Sequence, residues 1–298
     1  MRFIHMADVH LGAVPDSGCP WSAFRENEIW ETFVRVIDQI REEKIELLLI
    51  AGDLFHRQPL PSQTERVSQL FASIPDTEVV WMAGSHDYLR EDSAYRKVKW
   101  TKNVHGFPSE KPEVISLEKL HTKVYGCSYE HPEVTEAIYS SIRPEDQPGI
   151  HILLAYGGDE THIPMKKEDG AGFDYVALGH IHSSQKVGRE EVRYAGSPLK
   201  YSLSEVNNIK SAWKRQEPTG LSTERSQRTN RGSIIRRSHW FPVRAVRIFL
   251  FRCGFIQAPH RQLWSRKYRM RSHRKEAKIS TGSGSRDIGI RNWSLNWR

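Results

Sequence analysis

The chain has 298 residues, 38% hydrophobic and 27% charged, with a mean hydropathy of −0.60. That length allows one large domain or two modest ones. Its longest apolar stretch, Leu47 to Ala51, is far short of the roughly 20 residues that span a bilayer, so no membrane association is expected.

Phe3 to Ala7 is a short apolar run that ends in Asp8-Val9-His10. The acid comes too early for the apolar core of a signal peptide, and the expected location is the cytoplasm. Cys19, Cys127 and Cys253 lie too far apart for a disulfide framework or a paired-cysteine zinc motif. A helical pattern follows from about Trp21 to Lys44, with Phe24, Ile29, Trp30, Phe33, Val34, Ile37 and Ile40 at helical spacing. Ile45 to Ile50 reads as a buried strand stopped by Gly52-Asp53. Pro61 to Ile74 is helical again, and Glu78 to Ala83 is a third strand stopped by Gly84. Further strands are expected at Lys123–Ser128, Ile150–Ala155, Tyr175–Leu178 and Val192–Ala195, with a helix between Glu133 and Ile142. Continuous apolar strands separated by helices imply an α/β architecture with a sheet covered on both faces, and the later strands suggest a second sheet packed on the first.

The net charge of +8 averages two unlike segments. From Lys210 to Arg298 there are 22 Lys and Arg against four acids, a net of +18, which leaves −10 for residues 1–209. A charge break of this size marks a boundary. Beyond Asn208 the periodicity also disappears. Seventeen of those basic residues are Arg, and five of the chain's nine Trp are interleaved with them. Two readings of this tail stand side by side. In one, residues from about Ile209 are translated out of an ancestral reading frame, which translation of the gene's other frames tests directly. In the other, the tail is a basic arm that neutralises phosphates and stacks its indoles on single strands. Both leave little stable structure there.

The informative residues sit at strand ends. Asp8-Val9-His10 follows the first strand, Gly52-Asp53-Leu54-Phe55-His56 the second, and Gly84-Ser85-His86-Asp87 the third. Tyr156-Gly157-Gly158 follows the strand at Ile150, and Gly179-His180-Ile181-His182 the strand at Tyr175. In α/β sheets ligands bind outside the carboxyl ends of strands, so these loops should share one edge. An Asp-x-His pair or a Gly-Asp turn is commonplace alone. Together the clusters form a coherent set, because imidazoles mixed with carboxylates suit borderline divalent ions, and a carboxylate-bridged ion pair can activate water and clamp a phosphate.

Asp-x-His, Gly-Asp, a Gly-x-His-Asp and Gly-His-x-His in this order resemble the calcineurin-like metallophosphoesterase superfamily. Gly-Asp-Leu-Phe-His and Tyr194-Ala-Gly-Ser-Pro-Leu-Lys-Tyr-Ser202 are similar to SbcD-type DNA-repair exonucleases, which pair with an SbcC-type ATPase. The resemblance covers about residues 1–208. It implies a two-sheet metallophosphoesterase sandwich flanked by helices, here followed by an irregular basic tail over 209–298. It implies two divalent metal ions, typically manganese, DNA as substrate, and a dimer bound to the ATPase. By position, Asp8, His10, Asp53 and His182 match the ligands of one ion, with Asp53 bridging, and His180 matches a ligand of the second. His86 matches the histidine that assists the leaving oxygen, Asp87 the carboxylate that orients it, and His56 a histidine near the substrate phosphate. Two positions depart. Ser85 stands where the family has Asn, and Tyr156 where it has His, both at the second ion's shell. Beyond Asn208 the family's capping domain and ATPase-docking helices are not recognisable in the sequence. The expected function is metal-dependent phosphodiester hydrolysis on DNA. The alternatives are a degenerate, weakly active or inactive member, or a generic phosphodiesterase on small substrates.

Overall fold

The computed structural model describes residues 1–201 and 205, without the side chains of Ala23 and Lys167, and the backbone of residues 212–216, 238–241, 273–274 and 291–292. The chain divides into two compact units, Met1–Arg247 and Ile248–Arg298. The second unit contains one described antiparallel pair, His273–Arg274 with Arg291–Asn292.

The first unit is built on two sheets. In the first, β1 (Arg2–Met6), β2 (Leu47–Ala51), β3 (Glu78–Met82) and β4 (Val104–Gly106) run parallel in that order. Helix α1 (Ser22–Glu43) links β1 to β2, and α2 (Pro61–Ala72) links β2 to β3. Pro at the first position of α2 suits a residue whose N–H has no partner there. α1 ends on Lys44 in the left-handed conformation, φ 51°, whose N–H returns to the Ile40 and Arg41 carbonyls. The expected apolar stripe of α1 is buried at Ile29, Trp30, Phe33, Ile37 and Ile40, but Phe24 is 67% exposed because it lies in the first turn, ahead of the packed face.

The second sheet has the order β5 (Glu113–Leu117), β6 (Thr122–Gly126), β7 (Ile150–Tyr156), β8 (Tyr175–Gly179), β10 (Arg189–Tyr194), β9 (Gln185–Val187). Its central strands β6, β7, β8 and β10 are parallel, and β5 and β9 are antiparallel edges. The two sheets share one core. Phe3, Leu47, Leu49, Val80 and Met82 from the first meet Val124, Ile152, Leu154, Val176 and Leu178 from the second. The sheets pack tightly at Gly179, where an added Cβ would lie 1.7 Å from the Ala51 carbonyl oxygen.

Two expectations change. The segment Glu133–Ile142 forms only a 3-10 turn at Ile138–Ser141, because Val134 is drawn into a bridge with His162: its N–H donates to the Thr161 carbonyl, and its own carbonyl accepts from Ile163. And although the pattern gives no strand after Asn208, β11 (Ala212–Gln216) pairs antiparallel with the free edge of β1, and β12 (Ser238–Phe241) pairs with β11. Edge pairing uses backbone groups, so it tolerates a sequence without alternation. The expectation that most of 209–298 is irregular lies largely outside the described residues.

Candidate metal centre

The carboxyl ends of β1, β2, β3, β7 and β8 carry the five clusters to one edge of the two-sheet core. The chain turns so sharply there that Asp8, His10, Asp53 and His180 all have positive φ, at 52°, 52°, 49° and 96°. Non-glycine residues avoid this region, and such strain is tolerated where the surroundings over-determine it. Hydrogen bonds between loops supply that constraint. Asp8 N–H donates to the Gly52 carbonyl and His10 N–H to that of Asp53, which ties the first loop to the second. The His180 N–H donates to both Asp8 carboxylate oxygens, 3.0 and 3.2 Å, which ties the two sheets together. Gly84 is required beside Asp53, since a Cβ there would lie 2.3 Å from Asp53 Oδ1.

Asp8, His10 and His182 bring one ligand atom each to within 4.8 Å of one another. His10 Nε2 is 3.1 Å from His182 Nε2 and 3.9 Å from Asp53 Oδ2. His10 and Asp53 are both almost completely buried. The Glu205 carboxylate accepts from His182 Nδ1 at 2.7 Å, which leaves the Nε2 lone pair facing inward, the arrangement that orients metal-bound imidazoles. Burial, reinforced by His182, His86 and His56, pushes the His10 imidazole well below its usual range, so it is neutral and has a lone pair to give. Burial likewise raises Asp53 well above the carboxylate range, with Asp87 and Asp8 adding to the rise, while the Tyr156 hydroxyl and the His86 amide oppose it. Two imidazoles and two crowded carboxylates form a donor set that fits a borderline divalent cation.

The residues expected at a second ion meet differently. The Tyr156 hydroxyl donates to Asp53 Oδ2 at 2.6 Å, and it lies 2.9 Å from Ser85 Oγ and 3.3 Å from His180 Nδ1. Asp53, Ser85 and His180 thus converge on a phenol oxygen. Burial pushes that phenol well above its usual pKa, and Asp53 and Asp8 push it further, so it keeps its proton.

His56 and His86 stand beside His10, all three with a ring nitrogen within 4.8 Å of the others. His86 is exposed, and its Nδ1 lies 2.9 Å from the His56 carbonyl oxygen. The imidazole of His56 is lowered to about 4 by partial burial, with His86, Arg57 and His182 adding to the fall, and its Nδ1 is 2.9 Å from the Tyr201 hydroxyl. The His86 ring is held by that His56 carbonyl, and the Asp87 carboxylate makes its hydrogen bonds elsewhere. Asp87 is fully buried, and its oxygens accept from Gly84 N–H, Phe55 N–H and the Tyr95 hydroxyl at 2.9, 3.0 and 2.6 Å. It locks the second loop to the third instead of touching the His86 ring. Burial raises its carboxyl against these three donors.

The sequence reading missed Glu205, Tyr201, Tyr95, Asp159 and His162. Tyr201 lies inside the Tyr194–Ser202 segment and Glu205 just past it, so the motif contained or bordered both without revealing their roles. Asp159 accepts from His180 Nε2 at 2.7 Å and from His162 Nδ1 at 2.9 Å.

A two-sheet core with acids and imidazoles gathered at the strand ends defines a metallophosphoesterase. The sequence profile of the calcineurin-like phosphoesterases matches residues 1–184, and the chain belongs to that family. It is similar to the DNA double-strand break repair protein Mre11 of Methanopyrus kandleri, 28% identical over 243 residues, 72% of this chain and 52% of that protein. It is also similar to the uncharacterized metallophosphoesterase YhaO of Bacillus subtilis, 29% identical over 234 residues, covering 70% of this chain and 55% of that one. The SbcD component of the SbcCD nuclease of Bacillus subtilis is 26% identical over 258 residues, 71% of this chain and 65% of its own length. The chain spans roughly half to two thirds of the length of these relatives. Among the described residues no helix is long and apolar enough to cross a membrane.

Proposed function

We propose that residues 1–208 form a nuclease domain that hydrolyses phosphodiester bonds in DNA, as a cytoplasmic nuclease of the SbcD type, and that residues 209–298 form a basic tail. The observation that carries this reading is the gathering of Asp8, His10, Asp53 and His182 at one pocket with exposed His86 at its rim. Similarity to a DNA double-strand break repair protein and to a nuclease component supports DNA as the substrate. The partner is an SbcC-type ATPase, with the nuclease chain paired as a homodimer.

Asp8, His10, Asp53 and His182 hold a divalent ion, manganese by preference. When bound it supplies Lewis-acid polarisation of a phosphoryl oxygen and a more acidic water. The chain's own groups do the rest. His86, at the rim and steered by the His56 carbonyl, protonates the leaving sugar oxygen. His56, held by Tyr201, faces the substrate phosphate. Asp53, tied to the His86 amide and to the Tyr156 hydroxyl, fixes the third loop against the pocket. Asp87 positions the same loop through Gly84 and Phe55. His180, Ser85 and the Tyr156 oxygen would hold a second ion if the phenol gave up its hydrogen bond to Asp53.

A second reading, a slow or inactive one-ion member, is favoured by that hydroxyl, since Asp53, Ser85 and His180 are already satisfied by it. The test is cleavage of linear duplex DNA by the full chain with manganese or with EDTA, beside hydrolysis of bis-p-nitrophenyl phosphate. Manganese-dependent DNA cleavage lost in His86→Ala supports the nuclease. Hydrolysis of the small diester alone points to a generic phosphodiesterase, and no activity on either supports the one-ion reading.

A further inference from the structure

We propose that Asp159, His162 and His180 form an outward-facing site for a borderline divalent cation such as Zn2+, one that competes for His180 with the second-ion shell of the inner pocket. Ligand atoms from these three residues lie within 4.8 Å of one another. Two imidazoles and one carboxylate suit such a cation and leave open positions for water.

The site is built by the fold. After β7, Gly157 and Gly158 adopt φ of 119° and 110° and turn the chain back on itself. The return is tight enough that a Cβ on Gly157 would lie 1.9 Å from the His162 carbonyl oxygen. Gly158 N–H donates to that same carbonyl at 2.8 Å, and the bridge between Val134 and His162 anchors the far side of the loop. His162 is therefore placed by backbone contacts on both flanks, independently of its ring.

Asp159 is positioned in the same way. Its Oδ1 accepts from the N–H groups of Thr161 and His162 at 2.9 and 2.8 Å, and from the Thr161 hydroxyl at 3.0 Å. Its Oδ2 lies 2.7 Å from His180 Nε2 and 3.1 Å from His162 Nδ1. The two rings sit side by side, centroids 4.3 Å apart and planes tilted by 32°. Each presents a nitrogen to one carboxylate. A cation that replaces the two facing protons keeps all three groups satisfied.

The side chains of Asp159, His162 and His180 are 47%, 22% and 23% exposed, so an ion reaches them from solvent. A neutral His180 gives its Nε2 lone pair by carrying its proton on Nδ1, 3.3 Å from the Tyr156 oxygen that accepts it. The same tyrosine donates to Asp53 at 2.6 Å. An ion at the outer site thereby fixes the His180 tautomer beside the inner pocket, with Nε2 toward Asp159 and Nδ1 toward Tyr156.

The test uses the full chain titrated with Zn2+ alone by calorimetry, comparing wild type with His162→Gln and Asp159→Asn. His162→Gln keeps a hydrogen-bond donor but removes the imidazole. The expected result is one fewer Zn2+ equivalent in both variants, or at least a tenfold weaker one. Equal stoichiometry with affinities within twofold of wild type would overturn the site. A second measurement needs no variant: carbethoxylation of wild-type histidines, mapped by mass spectrometry. His162 should be at least fivefold slower to modify with Zn2+ than with EDTA, and an unchanged rate argues against the proposal. His182→Gln separates the two metal claims. It should remove the inner equivalent and leave the His162-dependent one intact.

Discussion

Replacing Tyr156 by Phe removes one oxygen and leaves the ring volume almost unchanged, so the effect comes from hydrogen bonds and not from a cavity. The lost hydroxyl donates to the buried Asp53 carboxylate at 2.6 Å and contacts Ser85 and His180. A hydrogen bond to a charged group contributes about 1.5–3 kcal/mol. In EDTA the variant should therefore lose about 2 kcal/mol, and its urea midpoint should fall by roughly 0.7–1 M for a slope of about 2–3 kcal/mol/M. Manganese gives Asp53 a counter-charge that the phenol no longer supplies, so the loss with the metal present should shrink to about 0.6 kcal/mol or less. The difference of about 1.4 kcal/mol appears as roughly tenfold tighter manganese binding in Tyr156→Phe. The assay is paired urea melts with EDTA and with saturating manganese, plus a manganese titration of both proteins. Equal losses under the two conditions, or no loss in EDTA, would refute the reasoning that the hydroxyl stands in for a cation.

Three further outcomes are expected. Ser85→Asn combined with Tyr156→His should add one bound manganese per chain and raise any manganese-dependent phosphodiesterase rate, measured by calorimetry and turnover. An unchanged stoichiometry would place the defect elsewhere. His5 is neutral in the fold, lowered to about 3 by burial with Arg193 adding, whereas the unfolded chain titrates near 6.5. Its contribution to stability is therefore complete above about pH 6.5 and is lost as the pH falls toward 3. Between pH 7 and 5.5 the loss from His5 is about 1.3 kcal/mol, and His5→Gln should remove that part of the slope in urea melts. Gly179→Ala drives a methyl against the Ala51 carbonyl between the sheets and should cost about 3 kcal/mol. Gly188→Ala meets no atom within 4 Å but has φ +74°, and should cost only about 1 kcal/mol by the same melts.

The strands legible in the sequence are those buried on both faces. β1, β2, β3, β7 and β8 are mainly apolar runs, and each leads into a loop that carries a site residue. Edge strands left no such mark. β5 is mostly exposed, and β11 is recruited by the free edge of β1 through backbone groups that any sequence offers. The helix expected at Glu133–Ile142 failed because a local propensity lost to a bridge with a loop nearly 30 residues away. Within the site, the residues on strand ends could be read in advance, since their position follows from the chain's local period. Their supporting partners could not. Glu205 reaches His182 across 23 positions, Tyr201 reaches His56 across 145, and Asp87 turns to Tyr95 instead of to His86. Such pairings are set by how loops fold over the sheet edge, and no spacing rule encodes them. Tyr156 is visible in the sequence as a departure, but only the fold places its hydroxyl among the groups expected to grip a second ion.

The most direct test of the central claim is a manganese titration of the full chain followed by the electron paramagnetic resonance of free Mn2+, with Asp8→Asn and His182→Gln as comparisons. The pocket of Asp8, His10, Asp53 and His182 predicts a tight equivalent in wild type that is lost or weakened at least tenfold in each variant. Retention of that equivalent at wild-type affinity in both variants would contradict it.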